Sequence, residues 1–255
     1  MTMTATAAAP APRATRFDDP WQGLGVKIFA DGADRAGMLE MYRNPLIQGF
    51  TTNPTLMRSA GIRDYEGFAR GILDAIPDRP VSLEVLADDF PSMERQARII
   101  AGWGENVFVK IPVTNTRRES SAGLVRQLSQ DGIKVNVTAL LTLHQVRIIA
   151  GALIGGAEAC VSVFAGRIAD TGRDPVPLMA AAVEMLREAP NAELIWASPR
   201  ELLNIVQASS IGCHIITATT EILKKLPLIG KDLAEYSLDT TKMFYADAVA
   251  SGFVL

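Results

Sequence analysis

Residues 106–113 read NVFVKIPV, with Val107, Val109 and Ile111 in one parity and Phe108, Lys110 and Pro112 in the other. In extended chain, residues of equal parity share a face. One face is therefore wholly aliphatic, as a strand covered by helices requires, and the other carries an ammonium group. A lysine buried in apolar surroundings is costly unless it is paired or gives up its proton. The run thus predicts both a covered parallel strand and a special environment on its second face.

Working outward, seven comparable runs flank it: VKIFAD (26–31), IQGFTTN (47–53), PVSLEVL (80–86), KVNVTALL (134–141), ACVSVFAG (159–166), ELIWAS (193–198) and CHIITAT (213–219). They recur about every 25 residues, and the segments between them have helical period, as in Tyr65, Phe68, Ala69, Ile72, Leu73 and Ile76. Strands alternating with helices at this spacing are right-handed βα units, and eight of them in 255 residues predict a (β/α)8 TIM barrel. An open doubly wound sheet is the weaker alternative, because no glycine-rich phosphate fingerprint follows the first run. Residues 221–238 and 239–255 read as additional C-terminal helices broken near Pro227, Gly230 and Asp239. Residues 1–17, rich in Ala, Thr and Pro without the apolar core of a secretion signal, read as a disordered leader, and 18–255 as one barrel domain.

Composition excludes several functions. A net charge of -3 with no long basic run argues against nucleic acid or an anionic membrane as partner. Aromatic residues, at 6%, form no stacking stripe for bases, and no apolar run approaches the roughly 18 residues of a membrane span. The two cysteines, Cys160 and Cys213, sit in apolar runs, which fits core packing in a reducing cytoplasm. The two histidines, His144 and His214, lack partners at metal-ligand spacing, so neither a metal nor another cofactor is expected.

The same parity test applied to the other runs separates two faces. Val81, Leu83 and Val85, Val135 and Val137, and Val161 and Val163 form the helix-facing sets. The opposite sets are Thr51 with Asn53, Ser82 with Glu84, Asn136 with Thr138, and Ser162 with Phe164. Asp31 closes the first run and Ser198 the seventh. Barrel interiors are normally filled with bulky aliphatic side chains, so a polar ring late in the strands predicts a solvated site at the mouth. The bland alternative is a buried Lys110–Glu84 ion pair with amides that serve only the backbone.

Desolvated lysines form imines with carbonyl compounds, and the imine draws electrons from the adjacent C–C bond. Cleavage then needs a base for the departing carbon's hydroxyl, which Asp31 or Glu84 would supply. Arg167 and Arg200 follow the sixth and seventh runs, where barrels commonly hold phosphate. The residues by themselves point to a lysine-dependent barrel enzyme acting on a polyhydroxylated, phosphorylated carbonyl compound.

Five ordered segments resemble the transaldolase family: FTTNPTL (50–56), FVKIPVT (108–114), NVTALLTLHQ (136–145), SVFAGRI (162–168) and WASPRE (196–201). The resemblance spans residues 26–255. It implies a metal-free mechanism with Lys110 as Schiff-base nucleophile, Asp31 as acid/base, and Glu84 with Thr138 holding a proton-shuttling water. It further implies Asn53 and Asn136 on donor hydroxyls, Thr51, Ser162 and Phe164 lining the pocket, and Arg167, Ser198 and Arg200 on phosphate. The partners it implies are small-molecule sugar phosphates, such as fructose 6-phosphate or sedoheptulose 7-phosphate, and further copies of the chain in a homo-oligomer. Related fructose-6-phosphate aldolases release free dihydroxyacetone and typically carry glutamine where Glu84 stands and a tyrosine where Leu141 stands, so Glu84, Phe164 and the lack of that phenol favour transfer. Gly32 after Asp31 and Pro199 after Ser198 depart from the family pattern. A non-catalytic sugar-phosphate-binding barrel is the reading from another class, but it gives no reason for an amine in an apolar strand.

Overall fold

A computed structural model describes residues 23–254; the expected leader at 1–17 lies outside them. The chain runs β1 (Lys27–Asp31), α1 (Arg35–Tyr42), β2 (Ile47–Thr51), α2 (Pro54–Ser59), α3 (Tyr65–Ala75), β3 (Val81–Glu84), α4 (Phe90–Ala101) and β4 (Val107–Pro112). It continues with α5 (Ala122–Gln130), β5 (Val135–Leu140), α6 (Leu143–Leu153), β6 (Ala159–Val163), α7 (Ala165–Ala169), α8 (Val176–Leu186), β7 (Ala192–Trp196), α9 (Leu203–Ser210), β8 (Ile215–Thr219) and α10 (Thr220–Leu223). All neighbouring strands pair in parallel, and β8 returns to β1 to close an eight-stranded barrel. The eight runs read from sequence are these eight strands, and the fold is a (β/α)8 TIM barrel.

The aliphatic parity sets, Val81 with Leu83, Val109 with Ile111, Val135 with Val137 and Val161 with Val163, are buried completely. Full burial of such a side chain stabilises by about 1.5–3 kcal/mol relative to exposure, which fixes each strand's register, since a one-residue slip would exchange its faces. Inside the barrel, Phe29, Cys160, Ile195, Ala197 and Ile215 pack together, with Phe108 and Phe164 against them. Gly49 makes room for this layer: a Cβ there would stand 2.5 Å from Cζ of Phe29.

Register places the polar residues side by side. Glu84 pairs with Lys110 and Lys110 with Asn136 across β3, β4 and β5, while Asp31 pairs with Thr51 on β2. Near the end of β5 the register with β6 shifts between Val137 and Leu140, and Ala139 takes φ 63°. This bulge ends the strict alternation where the strand meets the mouth. Asn53 then caps α2 and Thr142 caps α6 in a capping box with Gln145, so both helices start directly above strand ends.

The barrel, Leu24–Leu226, is one compact unit, and Pro227–Leu255 belongs to another. A 3-10 turn spans Leu226–Leu228. The C-terminal segment differs from the sequence expectation: α11 (Leu233–Ser251) runs without a break through Asp239. Its true start is Asp232, whose carboxylate accepts from the amides of Ala234 and Glu235. Asp239 instead takes the Lys231 ammonium at 2.6 Å, and the hydroxyls of Thr240 and Thr241 donate back to the carbonyls of Tyr236 and Ser237. An Asp-Thr-Thr sequence looks like a cap, but here each side chain finds a partner that leaves the helix intact. No helix among the described residues is long and apolar enough to cross a membrane.

Candidate active site

A cavity of about 420 Å³ opens at the carboxyl ends of the strands, within the usual range for small-molecule sites. Lys110 stands in its wall, 6% exposed, with Nζ donating to the Thr52 carbonyl at 2.5 Å and to Glu84 Oε2 at 3.2 Å. The other Glu84 oxygen faces Thr138, whose Oγ1 lies 3.5 Å from Oε1, at the outer limit of a hydrogen bond.

On the opposite side, Asp31 accepts from Thr51 Oγ1 at 2.7 Å, and Thr51 Oγ1 lies 2.6 Å from Thr217 Oγ1. Asp31 keeps part of its surface open to the cavity, yet desolvation pushes its carboxyl above the ordinary aspartate value. The Glu84 charge adds to that rise, and the Thr51 hydrogen bond and the Lys110 charge oppose it. A carboxyl raised in this way is suited to proton exchange.

A second network fixes the amide wall. Ser162 Oγ donates to Asn136 Oδ1 at 2.7 Å, and Asn136 Nδ2 donates to Ser82 Oγ at 3.0 Å. Asn136 is fully buried, so these bonds dictate its orientation in the cavity wall. Asn53 spends its Oδ1 on the Leu56 amide at 2.9 Å, which leaves its NH2 group available.

At the far end of the cavity stand Phe164, Arg167 and Ser198. The Arg167 guanidinium carbon lies 5.9 Å from the Phe164 ring centroid, and among the described residues Arg167 makes no ion pair. Ser198 adopts φ 60°, a left-handed conformation uncommon outside glycine. Its carbonyl oxygen lies so close to Gly166 that a Cβ there would run into it. Gly166→Ala is accordingly expected to cost about 1–3 kcal/mol through overpacking, read as a lowered denaturation midpoint. Unchanged stability would mean that the β7 end shifts freely.

Eleven of the twelve side chains expected from sequence line this one cavity: Asp31, Thr51, Asn53, Glu84, Lys110 and Asn136, then Thr138, Ser162, Phe164, Arg167 and Ser198. Arg200 does not. Its guanidinium grips Asp170 in a fork, Nε to Oδ1 at 2.9 Å and the second nitrogen to Oδ2, and that hydrogen bonding holds the Asp170 carboxyl below its ordinary range. Sequence reasoning missed Thr217 and the Thr52 carbonyl. Thr217 shares parity with the inward Ile215, and the parity test extended to the eighth strand finds it.

Cys160 and Cys213 are buried, and burial raises both thiols, that of Cys213 to about 12, which suits core packing. The His214 imidazole accepts the Leu194 amide at 3.0 Å. Among the described residues, no three His, Cys, Asp or Glu side chains converge as metal ligands would.

The family model described as Transaldolase/Fructose-6-phosphate aldolase matches residues 28–252. A probable transaldolase of Dehalococcoides mccartyi is 34% identical over 218 residues, covering 84% of this chain and 97% of that protein. Probable transaldolase 2 of Listeria monocytogenes is 35% identical over 219 residues, covering 84% and 95%. Among solved structures, 3-hexulose-6-phosphate synthase from Salmonella typhimurium superposes with TM-score 0.55 at 14% identity, over 78% of this chain and 91% of that one. Dihydrodipicolinate synthase from Rhodopseudomonas palustris gives TM-score 0.55 at 14% identity, over 84% and 79%. At that identity the structural likeness concerns the fold alone.

Proposed function

The chain belongs to the transaldolase/fructose-6-phosphate aldolase family, and from that premise we propose that it transfers a dihydroxyacetone unit from a ketose phosphate to an aldose phosphate through a Schiff base on Lys110. The observation that carries this reading is the buried Lys110 ammonium, held by Thr52 and Glu84 in the wall of a polar cavity. A structural lysine has no use for such a position.

In the first step Lys110 Nζ loses a proton to Glu84, its partner at 3.2 Å, and attacks the ketose C2 carbonyl. Loss of water from the carbinolamine requires a proton delivered to its hydroxyl. The wide Thr138–Glu84 spacing suits a water that relays this proton. In the second step the C4 hydroxyl gives its proton to Asp31 as the C3–C4 bond breaks. The bonding pair moves into the protonated imine to give an enamine, and an aldose phosphate leaves. The acceptor aldehyde then repeats the steps in reverse: the enamine carbon attacks it, Asp31 returns the proton to the new hydroxyl, and hydrolysis frees Lys110. The amide groups of Asn53 and Asn136 hold donor hydroxyls, and Arg167 with Ser198 holds the phosphate at the far end. Arg200 contributes to that end once its fork on Asp170 is exchanged for phosphate.

Transfer is favoured over release because neither Leu141 nor Phe164 carries a hydroxyl, so neither position supplies a phenol to hold a water beside the enamine. Fructose 6-phosphate with erythrose 4-phosphate should give sedoheptulose 7-phosphate. Without the aldose, free dihydroxyacetone should accumulate far more slowly. Release as fast as transfer would assign the chain to the aldolase branch, and neither reaction would remove both.

A further inference from the structure

The hydroxyl chain behind Asp31 has a direction. Thr51 Oγ1 donates to Asp31 Oδ1 at 2.7 Å and sits 2.6 Å from Thr217 Oγ1, where distance alone permits either donor. A threonine hydroxyl has one proton, and an ionised carboxylate only accepts. The Thr51 proton is therefore committed to Asp31, and Thr217 must be the donor to Thr51. Both threonines are buried, 4% and 6% exposed, so bulk water does not replace either partner.

We infer that Thr217 is a positioning residue for the acid/base: by donating to Thr51 it locks the Thr51 proton on Asp31 Oδ1 and reserves Oδ2 for the substrate's proton. Among the described residues Asp31 Oδ2 has no hydrogen-bond partner, as this division of labour requires. The strand arrangement makes the device possible. β1 lies between β2 and β8, so one hydroxyl from each neighbour meets in front of the aspartate. Successive donors in a chain polarise one another, so the Thr217 bond strengthens the one that Asp31 receives.

The charged groups that face Asp31 from within the barrel are Lys110 on β4 and Glu84 on β3. On the outer side Asp34, Glu40 and Lys224 border an adjoining cavity that Asp31 also lines. Thr217→Val leaves all of these in place and removes one hydroxyl, whereas Thr217→Ser keeps it.

The inference rests on the proposed function for its catalytic meaning but not for its test. Carbon-13 titration of the Asp31 carboxyl, assigned by its absence in Asp31→Asn, needs no turnover. Its midpoint should move upward in Thr217→Val and return toward the parent value in Thr217→Ser. The acidic limb of the kcat–pH profile should move with it, and kcat should fall about two- to tenfold, the usual worth of one such hydrogen bond. A midpoint in Thr217→Val that coincides with the parent's overturns the inference. If the midpoint moves but the parent is inert toward ketose phosphates, the proposed function falls and the Thr217 assignment stands.

Discussion

Lys110→Met is expected to lower kcat/KM by at least about 10⁴-fold, because a covalent nucleophile has no partial substitute. Methionine keeps all but one atom of the side chain's length and packs in apolar gaps, so most of the barrel wall stays filled. The charge bookkeeping differs, since Glu84 loses the ammonium that stands 3.2 Å away. Removing one partner from a fully buried ion pair costs about 3–5 kcal/mol. Glu84 keeps 17% of its side chain open to the cavity and can take up water, so the loss in stability should fall below that range, and a second change, Glu84→Gln, should recover most of it. Borohydride reduction in the presence of fructose 6-phosphate separates mechanism from folding. The parent should gain the mass of a reduced ketose adduct on the peptide containing Lys110, and Lys110→Met should gain none. Full activity in Lys110→Met, or an adduct on another residue, would rule out the Schiff base proposed at this position.

Much of this site was legible in the sequence because strand parity has a period of two and, in β5, holds up to the bulge that follows Val137. Once Val81, Leu83, Val135, Val137, Val161 and Val163 are assigned to the helices, Glu84, Asn136 and Ser162 have nowhere to point but inward, and register brings Glu84, Lys110 and Asn136 together. What the pattern does not carry is competition between partners. Arg200 follows its strand as expected, but Asp170, thirty positions earlier, takes both arms of its guanidinium, and no local rule relates those two residues. Asp239 failed for a similar reason: its identity suggests a helix start, and only the placement of Lys231 shows that the carboxylate is engaged elsewhere. Thr217 was hidden in an apolar run because a single hydroxyl among isoleucines reads as filler until Thr51 is found 2.6 Å away.

Asp31→Asn should separate cleavage from imine formation and stabilise the fold in the same variant. An amide cannot take the C4 hydroxyl proton, so kcat for transfer should fall about 10²- to 10⁴-fold, the usual contribution of a positioned base. Lys110 and Glu84 remain in place, so borohydride should still trap an adduct. The effect on stability follows from the direction of the Asp31 shift. Desolvation raises its carboxyl above the ordinary value in the folded chain, so folding favours the protonated form. The stabilisation from that proton is fully present below the ordinary aspartate value and is lost as pH rises through the raised one. Once ionised, as its role as base requires, Asp31 carries its charge at a cost, and an asparagine, which can still accept from Thr51 through Oδ1, avoids that cost. The variant should melt above the parent at pH values above the folded-state value, and its advantage should shrink as the pH is lowered through that value. An advantage that instead grows toward acid would reverse the assigned shift, and loss of trapping together with loss of transfer would move Asp31 from the cleavage step to imine formation. A gain in stability on losing the base is expected of a side chain kept for its chemistry, because the desolvation that suits Asp31 to proton exchange also makes its charge unfavourable to bury.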